Sequence, residues 1–304
     1  MNIYLPIANL SVNALVIIAL GGVVGLLSGM FGVGGGFLTT PLLIFYGIPP
    51  TVAAASSATQ VTGASVSGVV THLARKTVDI RMGIVMVVGG VIGAGIGAVI
   101  FRLLESIGQM DTTIGILYVL LLGSIGIMMA RESIHSLVMS ARGEQPLARR
   151  RRRHPLVAAL PFRWRFYASG LYMSPIAPLL LGIFSGIITM LMGIGGGFVL
   201  VPAMIYILGM STQVVIGTSL FQILFVTMVT TMTHATTTHA VDLVLAFLLL
   251  IGSVIGAQVG GRISTRARPE YLRVVLAFIV LVVAIRMALG LGWRPDEIYT
   301  VAGQ

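Results

Sequence analysis

The chain alternates between uncharged apolar runs and short polar or basic joints. The runs at 12–30, 84–101, 112–130, 243–261 and 274–285 contain no Asp, Glu, Lys or Arg. Several approach the ~20 residues that an α-helix needs to cross a hydrocarbon layer about 30 Å thick. In lipid the backbone polar groups of such a run must be satisfied within the segment, which selects helix. The pattern predicts an all-α polytopic membrane protein with about 8–10 membrane segments.

Two of the runs are broken in the same way. "FGVGGGFLTTPLL" at 31–43 and "MGIGGGFVLVPAM" at 192–204 each set a glycine cluster and a proline inside apolar sequence. Sliding the chain on itself by 161 to 163 residues aligns further landmarks. Pro41 falls on Pro202, Ser57 on Ser219, Gln60 on Gln222, His72 on His234, and Asp79 on Asp242. "GGVIGAGIG" at 89–97 matches "GSVIGAQVG" at 252–260. Each copy reads as a Gly-broken pair, re-entrant or half-helical, followed by three transmembrane helices. The expected organisation is a first repeat over 1–130, a basic connector over 131–173, a second repeat over 174–291 and a tail over 292–304.

Charge orients the two copies. Before the Gly-rich helix, copy one has Arg75, Lys76 and Arg81 where copy two has only His239 and Asp242. After it the bias reverses, with Arg102, Glu105 and Asp111 against Arg262, Arg266, Arg268, Arg273 and Glu270. Basic clusters stay cytoplasmic, so the copies are expected in opposite orientations, as inverted-topology repeats, with both termini outside and the connector inside. Within the connector, Arg149, Arg150, Arg151, Arg152 and Arg153 are expected to anchor this topology or to touch anionic lipid headgroups.

Composition sharpens the picture. With 57% hydrophobic and 9% charged residues, the chain is no water-soluble domain. The formal charge of +10 is assigned to cytoplasmic joints and not to a nucleic-acid partner. The absence of cysteine excludes disulfides, thiolate metal sites and cysteine nucleophiles. No basic residue precedes the first run, so that run is expected to stay in the protein and not to be cleaved as a signal peptide. No cofactor and no metal are expected, and the oligomeric state is left open.

The breaks carry the candidate chemistry. The run after each, at 37–46 and at 198–207, covers about 15 Å as helix, half a bilayer. Glycine allows positive φ and close approach to the main chain. The N–H groups of Gly34, Gly35 and Gly36, and of Gly195, Gly196 and Gly197, then sit at the positive end of a half-helix, which favours an anion. The following helix adds Ser56, Ser57 and Gln60, and in the second copy Thr218, Ser219 and Gln222. Residues four apart share a helix face, so Ser56 stands with Gln60 and Thr218 with Gln222. Uncharged amides and hydroxyls suit an oxyanion that must bind and then leave. The competing reading makes the glycines a tight hairpin and the polar side chains interhelical glue. His72 and His234, near opposite faces, read either as proton carriers or gates or as interfacial structural residues.

Glycines 21, 25 and 29, then 89, 93 and 97, then 252, 256 and 260 recur every fourth residue and are read as close helix packing. Every Asp and Glu is placed at a helix end or in a loop, so the carboxylate relay of a cation-coupled carrier is missing. An intramembrane serine protease pairing Ser219 with His234 is disfavoured, because fifteen residues of helix separate them by about 22 Å and no Gly-x-Ser-x-Gly elbow accompanies them. The expectation is a transport protein and no enzyme, a carrier of a small oxyanion, with a channel-like anion uniporter or a permease for another small anion as the alternative.

The stretch "GLLSGMFGVGGGFLTTPLLIFYGIPPTVAAASSATQ", with its second copy "GIGGGFVLVPAMIYILGMSTQVVIGTSLFQ", resembles the sulfite exporter TauE/SafE family of membrane permeases. The resemblance implies transport of small sulfur-containing oxyanions, such as sulfite, sulfoacetate or related organosulfonates, across a bacterial or archaeal cytoplasmic membrane. Its pattern falls on Gly32, Gly34, Gly35, Gly36, Ser57 and Gln60, and on Gly193, Gly195, Gly196, Gly197, Ser219 and Gln222. The long basic connector is not part of it.

Overall fold

The structure, a computed structural model, describes residues 2–31, 35–141, 161, 164–264 and 269–292. Among them are ten α-helices and two short hairpins. The first copy runs β1 (Asn2–Leu5), β2 (Leu10–Asn13), α1 (Ala14–Phe31), α2 (Gly36–Phe45), α3 (Pro50–Ala74), α4 (Ile80–Ser106) and α5 (Met110–Ala141). The second repeats the order: β3 (Trp164–Phe166), β4 (Leu171–Met173), α6 (Ile176–Met192), α7 (Gly197–Tyr206), α8 (Thr212–Thr233), α9 (Leu243–Ser264) and α10 (Pro269–Gly292). Five helices are long and apolar enough to cross a membrane, namely α4, α5, α8, α9 and α10. Helices α1, α2, α6 and α7 are apolar but shorter.

The hairpins were not expected from the apolar pattern. Both are antiparallel, closing at Leu5 opposite Leu10 and at Phe166 opposite Leu171. Asn9 and Gly170 take left-handed backbone at corresponding turn positions, with φ of 52° and 65°. Asn is among the few non-Gly residues that adopt this conformation readily. At the start of the following helices, Asn13 Oδ1 accepts from Leu15 N–H and Ser174 Oγ from Ile176 N–H, each covering an otherwise orphaned amide.

Helix pairing is reciprocal. Helix α1 packs along α9, and α6 along α4, so each opening helix lies on the Gly-rich helix of the other copy. The glycine spacing accounts for the closeness of these pairs. A Cβ on Gly21, Gly25 or Gly29 would overlap the carbonyl oxygens of Leu249, Ser253 and Ala257, and one on Gly252, Gly256 or Gly260 those of Ile18, Gly22 and Leu26. Gly89 and Gly93 meet Leu179 and Ile183 in the same manner. Both pairs run parallel, since residue numbers rise together along each contact. Helices α3 and α8 run antiparallel, with Thr62 Oγ1 2.8 Å from Thr227 Oγ1 and Thr59 Oγ1 3.4 Å from Thr231 Oγ1. Helices α5 and α10 form the remaining pair.

Two buried carboxylates tie the copies together. Asp79, before α4, accepts from Met82 N–H at its own helix start and from the N–H and hydroxyl of Ser169 in the β3–β4 turn. Asp242, before α9, accepts from Val244 and Leu245 N–H and from Ile7 N–H in the β1–β2 turn. The Asp79 amide donates to Thr218 Oγ1, and the Asp242 amide to Ser56 Oγ. Three of these bonds recur 161 to 163 residues away: Met82 N–H with Leu245 N–H, Ser169 N–H with Ile7 N–H, and the Asp79 amide with the Asp242 amide.

The expectation that all carboxylates stay at helix ends needs one correction. Helix α5 continues to Ala141, so Glu132 lies inside it, and Tyr206 Oη–H donates to its Oε2 at 2.5 Å. Of the connector, residues 131–141, 161 and 164–173 are described; the first stretch is the end of α5 and the last includes the second hairpin. The Arg149, Arg150, Arg151, Arg152 and Arg153 run lies outside the described residues.

Candidate functional site

The described glycines of both breaks, Gly35 and Gly36 and then Gly193, Gly195, Gly196 and Gly197, are buried. Gly193 ends α6 in left-handed backbone (φ 72°), its amide donating to Thr189 O at 2.8 Å. Gly195 and Gly196 are also left-handed, at φ 76° and 74°, and lead directly into α7. Three positive-φ residues among four are tolerable only as glycine. In the first copy Gly35 is helical (φ −57°) and precedes α2, while Gly34 lies outside the described residues. The half-helices α2 and α7 each have ten residues. Their first aromatic residues meet, with Phe37 and Phe198 stacked ring on ring at 4.5 Å between centroids and 3° between planes.

The end of α6 is held by side chains from distant elements. Met192 O accepts from Tyr118 Oη–H at 2.7 Å and from Thr40 Oγ1–H at 3.2 Å. Met190 O accepts from His234 Nε2–H at 3.0 Å. These carbonyls have no partner further along their own helix and would otherwise be orphaned. His234, expected at a membrane face, is fully buried and packs edge-on against Phe101 at 5.0 Å. A single π-helical turn, His234–Thr238, prolongs α8 past it. His72 is half-buried, with Nδ1 2.9 Å from Thr77 Oγ1 at the end of α3. Ser219, proposed above against His234 only to be set aside, donates to Ile216 O in its own helix.

A cavity adjoins the first break. Its space, about 40 Å³, is bounded by Gly25 and Ser28 of α1, Gly35, Gln60 and Ser65 of α3, Leu220 of α8 and Ser253 of α9. That is room for about three water-sized groups. Gln60 is 1% exposed and Thr39 Oγ1 lies 3.0 Å from its Oε1. Its Nε2 has no partner among the described residues, and neither has Ser65 Oγ. Whichever way the amide is turned, one of its polar atoms faces Thr39 and the other is left over. A buried polar atom without a partner costs about 1–3 kcal/mol. Among the described residues, no ionisable side chain lines the space.

Of the sequence candidates, the fold therefore brings Gly35 and Gln60 to this cavity. Gly36 is packed beneath, where a Cβ would press on Ile194 O and Val61. Ser57 is buried, with Oγ unpartnered, and Ser56 and Thr218 spend their hydroxyls on the Asp242 and Asp79 amides. Gln222 Nε2 donates to Ser185 Oγ at 3.1 Å, and its Oε1 has no partner among the described residues. Gly195, Gly196 and Gly197 are buried beside α8 and α6. Sequence reasoning missed Ser28, Ser65 and Ser253. The signal was available, because Ser28 and Ser253 sit beside the every-fourth glycines and Ser65 lies one turn and a half past Gln60.

Apolar helices of membrane length packed around buried polar groups mark a helical membrane protein. The chain belongs to the sulfite exporter TauE/SafE family, whose family model matches residues 17–287. It is similar to "Probable membrane transporter protein YjnA" of Bacillus subtilis, 29% identical over 271 residues, which cover 89% of this chain and 98% of that protein. It is also similar to a "Probable membrane transporter protein" of Xylella fastidiosa, 30% identical over 277 residues, or 90% of this chain and 94% of the other. A shorter likeness, 31% over 128 residues, joins 40% of the chain to 27% of "Sulfite exporter TauE/SafE family protein 3" of Arabidopsis thaliana. No solved structure matches the chain.

Proposed function

We propose that the chain is a secondary transporter of small sulfur-containing oxyanions, such as sulfite, sulfoacetate or related organosulfonates. It exports them across the cytoplasmic membrane of a prokaryote by alternating access, its two copies acting as inverted repeats. The observation that carries this reading is the cavity against the Gly35 break, lined by Gln60 and Ser65, whose amide Nε2 and hydroxyl are buried with no partner among the described residues. Uncharged donors bind an oxyanion without holding it as tightly as a fixed cation would. The antiparallel α3–α8 pair supports inversion, because corresponding helices of oppositely oriented copies run antiparallel.

The test is counterflow in proteoliposomes loaded in turn with sulfite, sulfate, sulfoacetate and taurine. Saturable exchange with sulfite or sulfoacetate, and little with zwitterionic taurine, is expected. Absence of saturable exchange with all four would overturn the reading, and single-channel conductance would favour a channel-like anion uniporter instead.

A further inference from the structure

The two copies pack alike except around their breaks. Each residue lining the cavity of the first break has a counterpart at the second, 161 to 163 positions away. Ser28, Ala64, Leu220 and Ala257 are half-buried around the open space. Their counterparts Thr189, Ala58, Ala94 and Val226 are all buried. Val226 and the Gln222 amide close on Gly90, where a Cβ would lie 3.0 Å from Gln222 Nε2 and would overlap Val226. Side-chain bulk does not cause the closure. Thr189, Ile223, Val226 and Thr227 add as many non-hydrogen atoms as Ala58 and Gly90 take away, so the two linings carry equal numbers. The difference is one of arrangement.

We propose that the packed cluster of Thr189, Gly196, Gln222 and Thr227 is a second, closed binding site, the twin of the open one, which takes the same class of small oxyanion when the first is shut. This rests on the alternating-access reading above. Gln222 Oε1, fully buried without a partner, marks the cluster as unfinished in the closed arrangement. The interlocked glycines let α1 with α9, and α4 with α6, move as two blocks against the central α3–α8 pair. Here the α1–α9 block stands off to leave the cavity, and the α4–α6 block is pressed home. Exchanging these two positions empties the space beside Gly196 and fills the space beside Gly35. The open cavity extends from Gln60 to Ser65, toward the Ala74 end of α3, about 7–8 Å along the helix. Its twin extends from Gln222 to Thr227, along the antiparallel α8, and so opens to the opposite face.

The chain contains no cysteine, so single-cysteine variants of the intact protein test this without altering the background. Ser65→Cys, Thr227→Cys and Val226→Cys are reconstituted in sealed vesicles and treated with a membrane-impermeant maleimide from either side. Ser65→Cys is expected to label from one side only, and Thr227→Cys and Val226→Cys from the other side only and more slowly. Adding Ala64→Trp, which fills the open cavity, is expected to raise labelling of the second pair at least ~5-fold, because blocking one state shifts population to the other. Labelling of all three positions from the same side overturns the proposal, as does failure of both second-copy cysteines to react with the first cavity filled. These outcomes need no substrate, so they stand apart from the oxyanion counterflow that tests the function.

Discussion

Replacing Asp242 with alanine removes an acceptor of three amide hydrogen bonds at once. Val244 and Leu245 N–H lie at 3.1 Å and Ile7 N–H at 3.2 Å. The side chain is fully buried, so water does not fill its place. Loss of a helix cap costs about 1 kcal/mol, and orphaning the Ile7 amide adds about 1–3 kcal/mol. The total is roughly 3 kcal/mol. Asparagine keeps an oxygen for the helix start but turns an NH₂ toward Ile7, so about half the loss is expected for Asp242→Asn. The assay is thermal unfolding of detergent-solubilised protein followed by fluorescence-detected size exclusion. At about 2–3 °C per kcal/mol, Asp242→Ala lowers the apparent Tm by about 6–9 °C. Asp79→Ala falls in the same range, since it releases Met82 and both groups of Ser169. A shift below about 2 °C at Asp242, or a loss there with none at Asp79, refutes the reasoning that these carboxylates are reciprocal clasps.

Two further outcomes follow from the packing and the cavity. Gly25→Ala drives a Cβ into Ser253 O, whereas at Gly22 the nearest atom to a Cβ, Gly252 O, is 3.8 Å away; the first variant should lose about 1–3 kcal/mol and the second under ~0.5, read as apparent Tm. Gln60→Ala should weaken oxyanion binding about 10- to 100-fold in equilibrium titration, the value of about 1.5–3 kcal/mol for a hydrogen bond to a charged group. Tyr118→Phe, whose lost bond supports Met192 O away from the cavity, should lower stability and leave that affinity unchanged.

The membrane-helix architecture was legible in the apolar runs, because lipid imposes a length and forbids charge over whole segments. The breaks were legible too, since three left-handed residues among Gly193, Gly195 and Gly196 admit only glycine. The hairpins were not. Their strands are three or four residues long, in a stretch whose composition merges with the helix that follows. Nor could spacing along one helix tell Ser56 from Gln60. They share a face of α3, yet Ser56 meets the Asp242 amide from the other copy while Gln60 reaches the cavity. That choice depends on which helix lies opposite, and the reciprocal exchange of α1 and α6 between copies sets it. The same exchange buries His234, whose neighbours Phe101 and Met190 belong to α4 and α6.

The absence of ionisable groups from the cavity lining has a consequence for energetics. A carrier that binds its substrate with carboxylates, lysines or histidines can offset the substrate's charge or exchange a proton during translocation. Gln60, Ser28, Ser65, Ser253 and backbone at Gly35 can do neither, so the loaded carrier moves with the charge of the anion itself. Transport of the proposed anion is then expected to be electrogenic. Each 100 mV is worth about 2.3 kcal/mol per unit charge, or about a 50-fold difference in the equilibrium concentration ratio of a monovalent anion. Proteoliposomes holding sulfoacetate, with the membrane potential set by a potassium gradient and valinomycin, read this directly. An interior-negative potential should drive efflux, a reversed potential should drive uptake, and collapsing a pH gradient should leave both unchanged. Flux that ignores the potential but follows the pH gradient would show two protons travelling with the sulfoacetate dianion. The buried carboxylates Asp79 and Asp242 would then be the first residues to test as their carriers.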